Sequence, residues 1–392
     1  MLCVDHSSGP RVRLVANRRT MRVVVLGGYG NFGARICRAL AGDSDIELIV
    51  AARDEERARG FAATLPGSAR AARLDTCAAE FSERLDAVGA QLVIHTAGPF
   101  QGQGYEVAQA AARSGAHYID LADGRRFVCD FARTLDAPFK AAGRIGISGA
   151  STLPALSSAV VDELRGRFAD LHSIDVCIAP GQQAPRGEAT LAAVLSYCGE
   201  GVSVWHEGQW QQSIGWARPT PVHFAHMPSR LGALCDVPDL ELFPQRYDVT
   251  QNVIFRAALE VALTQRMFGL LAVMRRWRLL NDTATLARWL HRTGPWFDRF
   301  GSGLGGMFVR LTGVSPEGKP LQLEWHLSAD NNHGPEIPCM PAILLARKLA
   351  RGEAFPAGAL SCIGLLQLSE FEPEFDRWGI RTELVERSAS GE

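Results

Sequence analysis

Several absences bound this 392-residue chain before any motif is read. No stretch approaches the roughly 18–20 apolar residues that a membrane-spanning helix needs. Neither sign of charge dominates. The formal net charge is -1, which excludes nucleic acid as a bulk partner. The nine cysteines lie singly, with no Cys-x-x-Cys pair and an odd total. That pattern argues against a disulfide framework or a zinc site and points to reduced thiols in a cytoplasm. Internal repeats and low-complexity tracts are also missing. Residues 1–20 lack the long apolar core of a signal peptide. They carry Arg11, Arg13, Arg18 and Arg19 without periodicity and read as a flexible leader outside the fold, with Met21 directly before the first strand.

Hydrophobic residues at 47% and charged residues at 21% place the chain among ordinary globular proteins, and its length suggests two domains. The organising stretch is Val23-Val24-Val25-Leu26-Gly27-Gly28-Tyr29-Gly30-Asn31-Phe32-Gly33. Four apolar residues, three of them β-branched, read as a strand buried on both faces. The glycines follow as Gly28-x-Gly30-x-x-Gly33. Gly28 lets the chain turn off the strand. Gly30 lets a pyrophosphate approach the backbone, and Gly33 lets the next helix lie close. Ile36, Cys37 and Leu40 supply that helix's apolar stripe, and its N-terminus suits a phosphate.

Strands at 46–52, 71–75, 91–96, 117–121 and 144–148 alternate with helices at 55–65, 105–114 and 127–142. Asp54 is placed to cap the first of these. The alternation predicts an α/β fold with a doubly wound parallel sheet over residues 21–160. After about residue 171 the pattern becomes half-exposed strands and hairpins, at 202–214 and 307–329. Helices are expected at 187–197, 257–280 and 283–291. Residues 161–334 therefore read as an inserted α+β domain on an antiparallel sheet. Residues 335–392 read as a segment returning to the first domain, beginning with a helix at 335–351. Ala342, Leu345, Ala346 and Leu349 form a stripe that must be buried there.

The second strand ends in Ala51-Ala52-Arg53, with no carboxylate to hold a ribose 2′-hydroxyl. Arg53 suits a 2′-phosphate, or it is a surface arginine pairing with Glu55 or Glu56. Asp75 can accept from an adenine amine or cap a helix. Thr96-Ala97-Gly98-Pro99 closes the fourth strand where backbone must pass the cofactor. Tyr118 and Asp120 share one face of the fifth strand, His117 the other. The first two are the catalytic candidates, to orient a substrate or handle a proton, or else a polar pair bracing the turn at Asp123-Gly124. His326 and His333 lack a convergent third ligand in the sequence, so no metal is expected.

In these motifs the chain resembles the saccharopine dehydrogenase family of NAD(P)-dependent oxidoreductases. The resemblance rests on Val23 to Gly33, Ala52-Arg53, His95-Thr96-Ala97-Gly98-Pro99-Phe100, Gly115-Ala116-His117-Tyr118-Ile119-Asp120-Leu121 and Ser148-Gly149-Ala150-Ser151-Thr152-Leu153-Pro154. It implies a nucleotide-binding domain that takes NADP, or NAD, and an inserted substrate domain. The glycine-loop residues Gly28, Tyr29, Gly30, Asn31, Phe32 and Gly33 would hold the cofactor with Arg53, Asp75, Thr96, Ala97, Gly98 and Pro99. Family members include reductases that form amino acids through an imine and relatives that reduce lipid-linked double bonds, so the substrate stays open, small or lipid-like.

The leading expectation is a cytoplasmic NADP-dependent oxidoreductase, assembled as a homodimer. The alternative is a non-catalytic NADP-binding module that senses the cofactor or engages a partner protein. The stretch 267–278 mixes an apolar run with arginines and either packs in a core or lies on a membrane surface.

Overall fold

The computed structural model describes residues 20–185, 188–279, 286, 292 and 294–388. The first domain runs β1 (Met21–Leu26), α1 (Asn31–Leu40), β2 (Ile46–Ala52), α2 (Glu55–Ala62), β3 (Arg70–Arg73), α3 (Phe81–Val88), β4 (Leu92–His95), α4 (Glu106–Arg113), β5 (His117–Asp120), α5 (Arg125–Ala142) and β6 (Ile145–Ser148). All pairings in this sheet are parallel. β1 sits between β4 and β2, so Val23, Val24 and Val25 are fully buried, as a continuous apolar run requires. Asp54 caps α2 by accepting from the Arg57 N–H at 3.0 Å.

Helix α6 (Ser157–Arg165) leads into a second sheet. Its elements are β7 (Asp170–Ala179), α7 (Glu188–Tyr197), β8 (Gly201–His206), β9 (Gln209–Ile214), β10 (Thr220–Val222), β11 (Arg230–Leu234), α8 (Asp239–Arg246), β12 (Asn252–Leu259), α9 (Ala262–Arg276), β13 (Gly305–Val314) and β14 (Pro320–Ala329). The order is β10-β11-β12-β7-β13-β14-β16, with the β8–β9 hairpin attached to β12. Most neighbours are antiparallel, as expected, and β12 runs parallel to β7. The helix expected at 257–280 is also two elements. Its first residues end strand β12, and α9 starts only at Ala262. The helix expected at 283–291, Leu286 excepted, and the leader at 1–20, Thr20 excepted, lie outside the described residues.

The chain then runs through a short 3-10 turn, Gly334–Cys339, into α10 (Met340–Ala350), β15 (Gly358–Ser361), α11 (Glu372–Trp378) and β16 (Arg381–Ser388). The single helix expected at 335–351 is thus split, with Pro338 inside the 3-10 turn and Pro341 at the start of α10. The stripe on α10 is buried, with Ala342, Leu345 and Ala346 at 0% exposure. The helix packs against α1, where Arg347 donates to Asp43 at 2.8 Å and to the Ala39 carbonyl at 3.1 Å. β15 adds a parallel edge strand beside β6, in the first sheet. β16 does not follow it: it pairs antiparallel with β14. The final segment therefore serves both sheets, where a return to the first domain alone was expected, and ties the two domains together.

Candidate cofactor and substrate site

The glycine loop departs from expectation in one detail. The residue with positive φ is Gly27, at +76°, so the turn off β1 depends on Gly27 and not on Gly28. A Cβ on Gly28 would lie 2.8 Å from a Val50 methyl, so that position is limited by packing on β2. A Cβ on Gly33 would lie 2.2 Å from the Gly27 carbonyl oxygen. The third glycine is therefore what lets α1 start against the turn. Around Gly30, which is exposed, an added Cβ would meet only the Gly27 carbonyl oxygen, so a ligand has room. No side chain caps α1, and Ala34 is the first residue whose N–H is taken, by the Gly30 carbonyl. The amides of Asn31, Phe32 and Gly33 have no partner among the described residues and carry the positive end of the helix dipole. The Asn31 side chain donates to the Pro185 carbonyl at 3.2 Å, closing the second domain over this end.

Arg53 follows β2, is exposed, and forms no ion pair or hydrogen bond among the described residues. Glu55 pairs with Arg59 at 2.7 Å instead, so the surface pairing considered for Arg53 with Glu55 is not made. One turn on, the Arg57 guanidinium lies 4.7 Å from the centre of the Tyr29 ring. Asp75 lies beyond β3, and its carboxylate accepts from the Cys77 N–H at 3.1 Å, which uses it in a turn. The Thr96 hydroxyl donates to the Leu26 carbonyl at 2.7 Å and joins the ends of β4 and β1. Gln103 donates to the carbonyls of Ala97 and Pro99, both at 2.8 Å, and so holds the turn at Gly98.

Tyr118 and Asp120 are both at 0% exposure, and neither lines the large cavity described below. The Tyr118 hydroxyl is 3.1 Å from His95 Nδ1, and burial pushes that imidazole down to about 4 and keeps it neutral. The Tyr118 ring stacks on Phe131 in the helix-covered core. Asp120 Oδ1 accepts from Ala122 N at 3.0 Å, Ser148 Oγ at 3.0 Å and Gly149 N at 2.8 Å. Burial raises its carboxyl to about 6 against these three donors. This geometry staples the end of β5 to the end of β6, the bracing alternative weighed for the pair. Asp120→Ala should lower unfolding free energy by about 1–3 kcal/mol for each donor left buried and unpaired. Denaturant titration checks this, and a midpoint equal to wild type would remove the staple.

His326, one of the expected candidates, is buried and 3.1 Å from Glu324. That carboxylate also accepts from Arg310, and His326 and Arg310 together hold it down to about 2 despite its burial. His333 Nδ1 is 2.8 Å from the Trp378 carbonyl. Both are bound within the fold.

Between the carboxyl ends of the first sheet and the second sheet lies a cavity of about 720 Å³. Phe32 of the glycine loop lines one end, with Asp123 and Thr152. Ile178, Trp216 and Met307 of the second domain and Met274 of α9 line the rest. Among the described lining residues Asp123 is the only one with a charged side chain. Gln101 donates to its Oδ1 at 3.1 Å, tying it to the turn that follows Pro99. Asp123 is itself accessible from the cavity, and desolvation by the surrounding protein raises this carboxyl, with the Gln101 hydrogen bond acting against it.

Residues 23–147 match the family described as the saccharopine dehydrogenase NADP binding domain. Over these residues the chain is similar to that family's cofactor domain. Its fold is similar to that of saccharopine dehydrogenase (L-Glu forming) from Saccharomyces cerevisiae, with a TM-score of 0.68, 14% identity, and coverage of 93% of this chain and 100% of that one. It is also similar to homospermidine synthase from Legionella pneumophila, solved with NAD, with a TM-score of 0.58, 10% identity, and coverage of 96% and 95%. No match was found among curated proteins.

The saccharopine-dehydrogenase-like cradle fits NADP on its own geometry. Unclaimed amides at the start of α1 and the open space at Gly30 suit a pyrophosphate, and unpaired Arg53 suits a 2′-phosphate. Gly27, Arg57 and Asp123 are the site residues that the sequence reading missed. Gly27 was one residue from the expected turn. Arg57 had a signal in its i+4 spacing from Arg53. Asp123 had a signal in its place just past the carboxyl end of β5, where the ligand of a parallel sheet lies, but alternation along the strand does not reach it.

Proposed function

We propose that the protein is a cytoplasmic NADP-dependent oxidoreductase acting on a largely apolar, lipid-like substrate. The observation that carries this reading is the cavity, mostly apolar and with Asp123 as its one charged side chain among the described lining residues, which begins at the glycine loop. NADPH, held by the glycine loop and Arg53, would supply a hydride when bound. Asp123 holds a proton beside the reacting end and gives it to the atom next to the reduced carbon. Its affinity for that proton is raised above that of an ordinary carboxyl, the direction a proton donor needs. Thr152 lies at the same end and offers a hydroxyl to a polar substrate atom. The apolar walls exclude water and orient the substrate's tail.

Asp123→Asn should lower the rate of NADPH oxidation by about 10²–10⁴-fold, the usual worth of a positioned acid, with NADPH binding unchanged. In wild type the reductive rate should fall as pH rises through the raised carboxyl value, because only the protonated form donates. The test is NADPH oxidation against a panel of apolar conjugated carbonyls and imines across pH. Tight NADPH binding with no turnover on any member would instead favour a cofactor sensor.

A further inference from the structure

Helix α9 turns Gln265 and Ala272 inward, at 0% and 1% exposure. Its opposite face is apolar and bare. Leu263, Met267, Leu270 and Trp277 recur at i, i+4, i+7 and i+14 and are 57%, 41%, 61% and 73% exposed. A water-facing stripe of this kind on a helix marks an interaction surface. Met267 and Leu270 also line the large cavity, as does Trp296, itself 71% exposed. The cavity therefore opens through this apolar face.

The charge on the helix selects the partner. From 262 to 278 the chain carries Arg266, Arg275, Arg276 and Arg278 and no acidic residue. Arg275 turns inward, to the carbonyls of Leu195 and Cys198 and to Glu200. Arg266 and Arg276 are exposed, without an ion pair among the described residues, and Arg266 borders the stripe. Leucines to enter an acyl boundary, a tryptophan for the headgroup level and arginines for anionic headgroups together match an interfacial helix. No helix among the described residues is long and apolar enough to cross a membrane, so the contact is with the surface.

We propose that α9 docks the protein on an anionic lipid surface and presents the mouth of the cavity to the bilayer. This goes beyond the oxidoreductase reading and stands whether or not the protein turns over a substrate. The full chain should float with phosphatidylcholine vesicles containing phosphatidylglycerol and stay behind with phosphatidylcholine alone. Trp277→Asp and Leu263→Asp should each cut binding more than tenfold. Arg266→Ala should cut it about fivefold, since a basic residue near an anionic surface contributes ~1 kcal/mol. None of the three residues touches the cofactor loop or lines the cavity, so NADPH binding and the thermal midpoint serve as controls for folding. Wild type that floats with neither vesicle overturns the proposal. Equal flotation with both vesicles overturns the anionic assignment. A concentration-dependent dimer that Trp277→Asp dissociates, without vesicle binding, would give the face to a second copy of the chain and also overturn it.

Discussion

Gly33→Ala should abolish useful NADPH binding. The added Cβ would stand 2.2 Å from the Gly27 carbonyl oxygen and 2.8 Å from its carbon. Both are backbone atoms, and Gly27 is held by its own N–H donating to the Ala51 carbonyl at 2.9 Å, so neither rotates away. The start of α1 must move off instead, which costs about 1–3 kcal/mol of stability as overpacking. The same movement pulls the helix amides from the pyrophosphate. Losing two hydrogen bonds to a charged group, at about 1.5–3 kcal/mol each, weakens binding by roughly 100-fold or more. Calorimetric titration with NADPH checks this. Gly42→Ala is the control, because an added Cβ there meets nothing within 4 Å. Binding by Gly33→Ala within about threefold of wild type, well short of a tenfold step of ~1.4 kcal/mol, would show that the close approach is not needed.

Arg53→Ala should weaken NADPH binding and leave NADH nearly unchanged. The β2 end offers no carboxylate to claim the ribose hydroxyls, and Arg53 has no competing partner among the described residues. A guanidinium can make two charge-assisted bonds to a 2′-phosphate. At about 1.5–3 kcal/mol, the loss corresponds to roughly 10- to 150-fold in dissociation constant. Exposure of the side chain places the value toward the lower end. Titrating both cofactors against both proteins separates the possibilities. Wild type that binds NADH as tightly as NADPH, or a substitution that weakens both equally, would remove Arg53 from the phosphate.

These two residues were legible in the sequence because their constraints are local. The turn, the close approach of Gly33 and the end of β2 are set within a few residues of chain, by backbone sterics and strand burial. The Asp54 cap and the two hairpins were legible for the same reason. The failures share a different cause. Residues 257–259 are apolar and run on toward a helical stretch, so periodicity alone did not reveal that they end β12, whose pairing with β7 lies about eighty residues back. The edge strands β15 and β16 are short or exposed and carry little apolar pattern. What makes them strands is the partner each finds, β6 and β14.

Asp120 and Asp123 show the boundary most clearly. Three residues apart, both are carboxylates at the carboxyl end of the parallel sheet. One accepts three hydrogen bonds from its own sheet and is closed off. The other opens into a cavity whose walls include α7, β7, β12, α9, β13 and the start of the C-terminal segment. By itself the sequence determined the parallel αβ order, the cofactor loop and the absence of a competing carboxylate at Arg53, because those depend on short-range sterics and strand burial. Only the tertiary structure decided which carboxyl faces the cavity and where the apolar face of α9 points. Both depend on surfaces brought together from chain segments more than a hundred residues apart, and no local pattern encodes that contact.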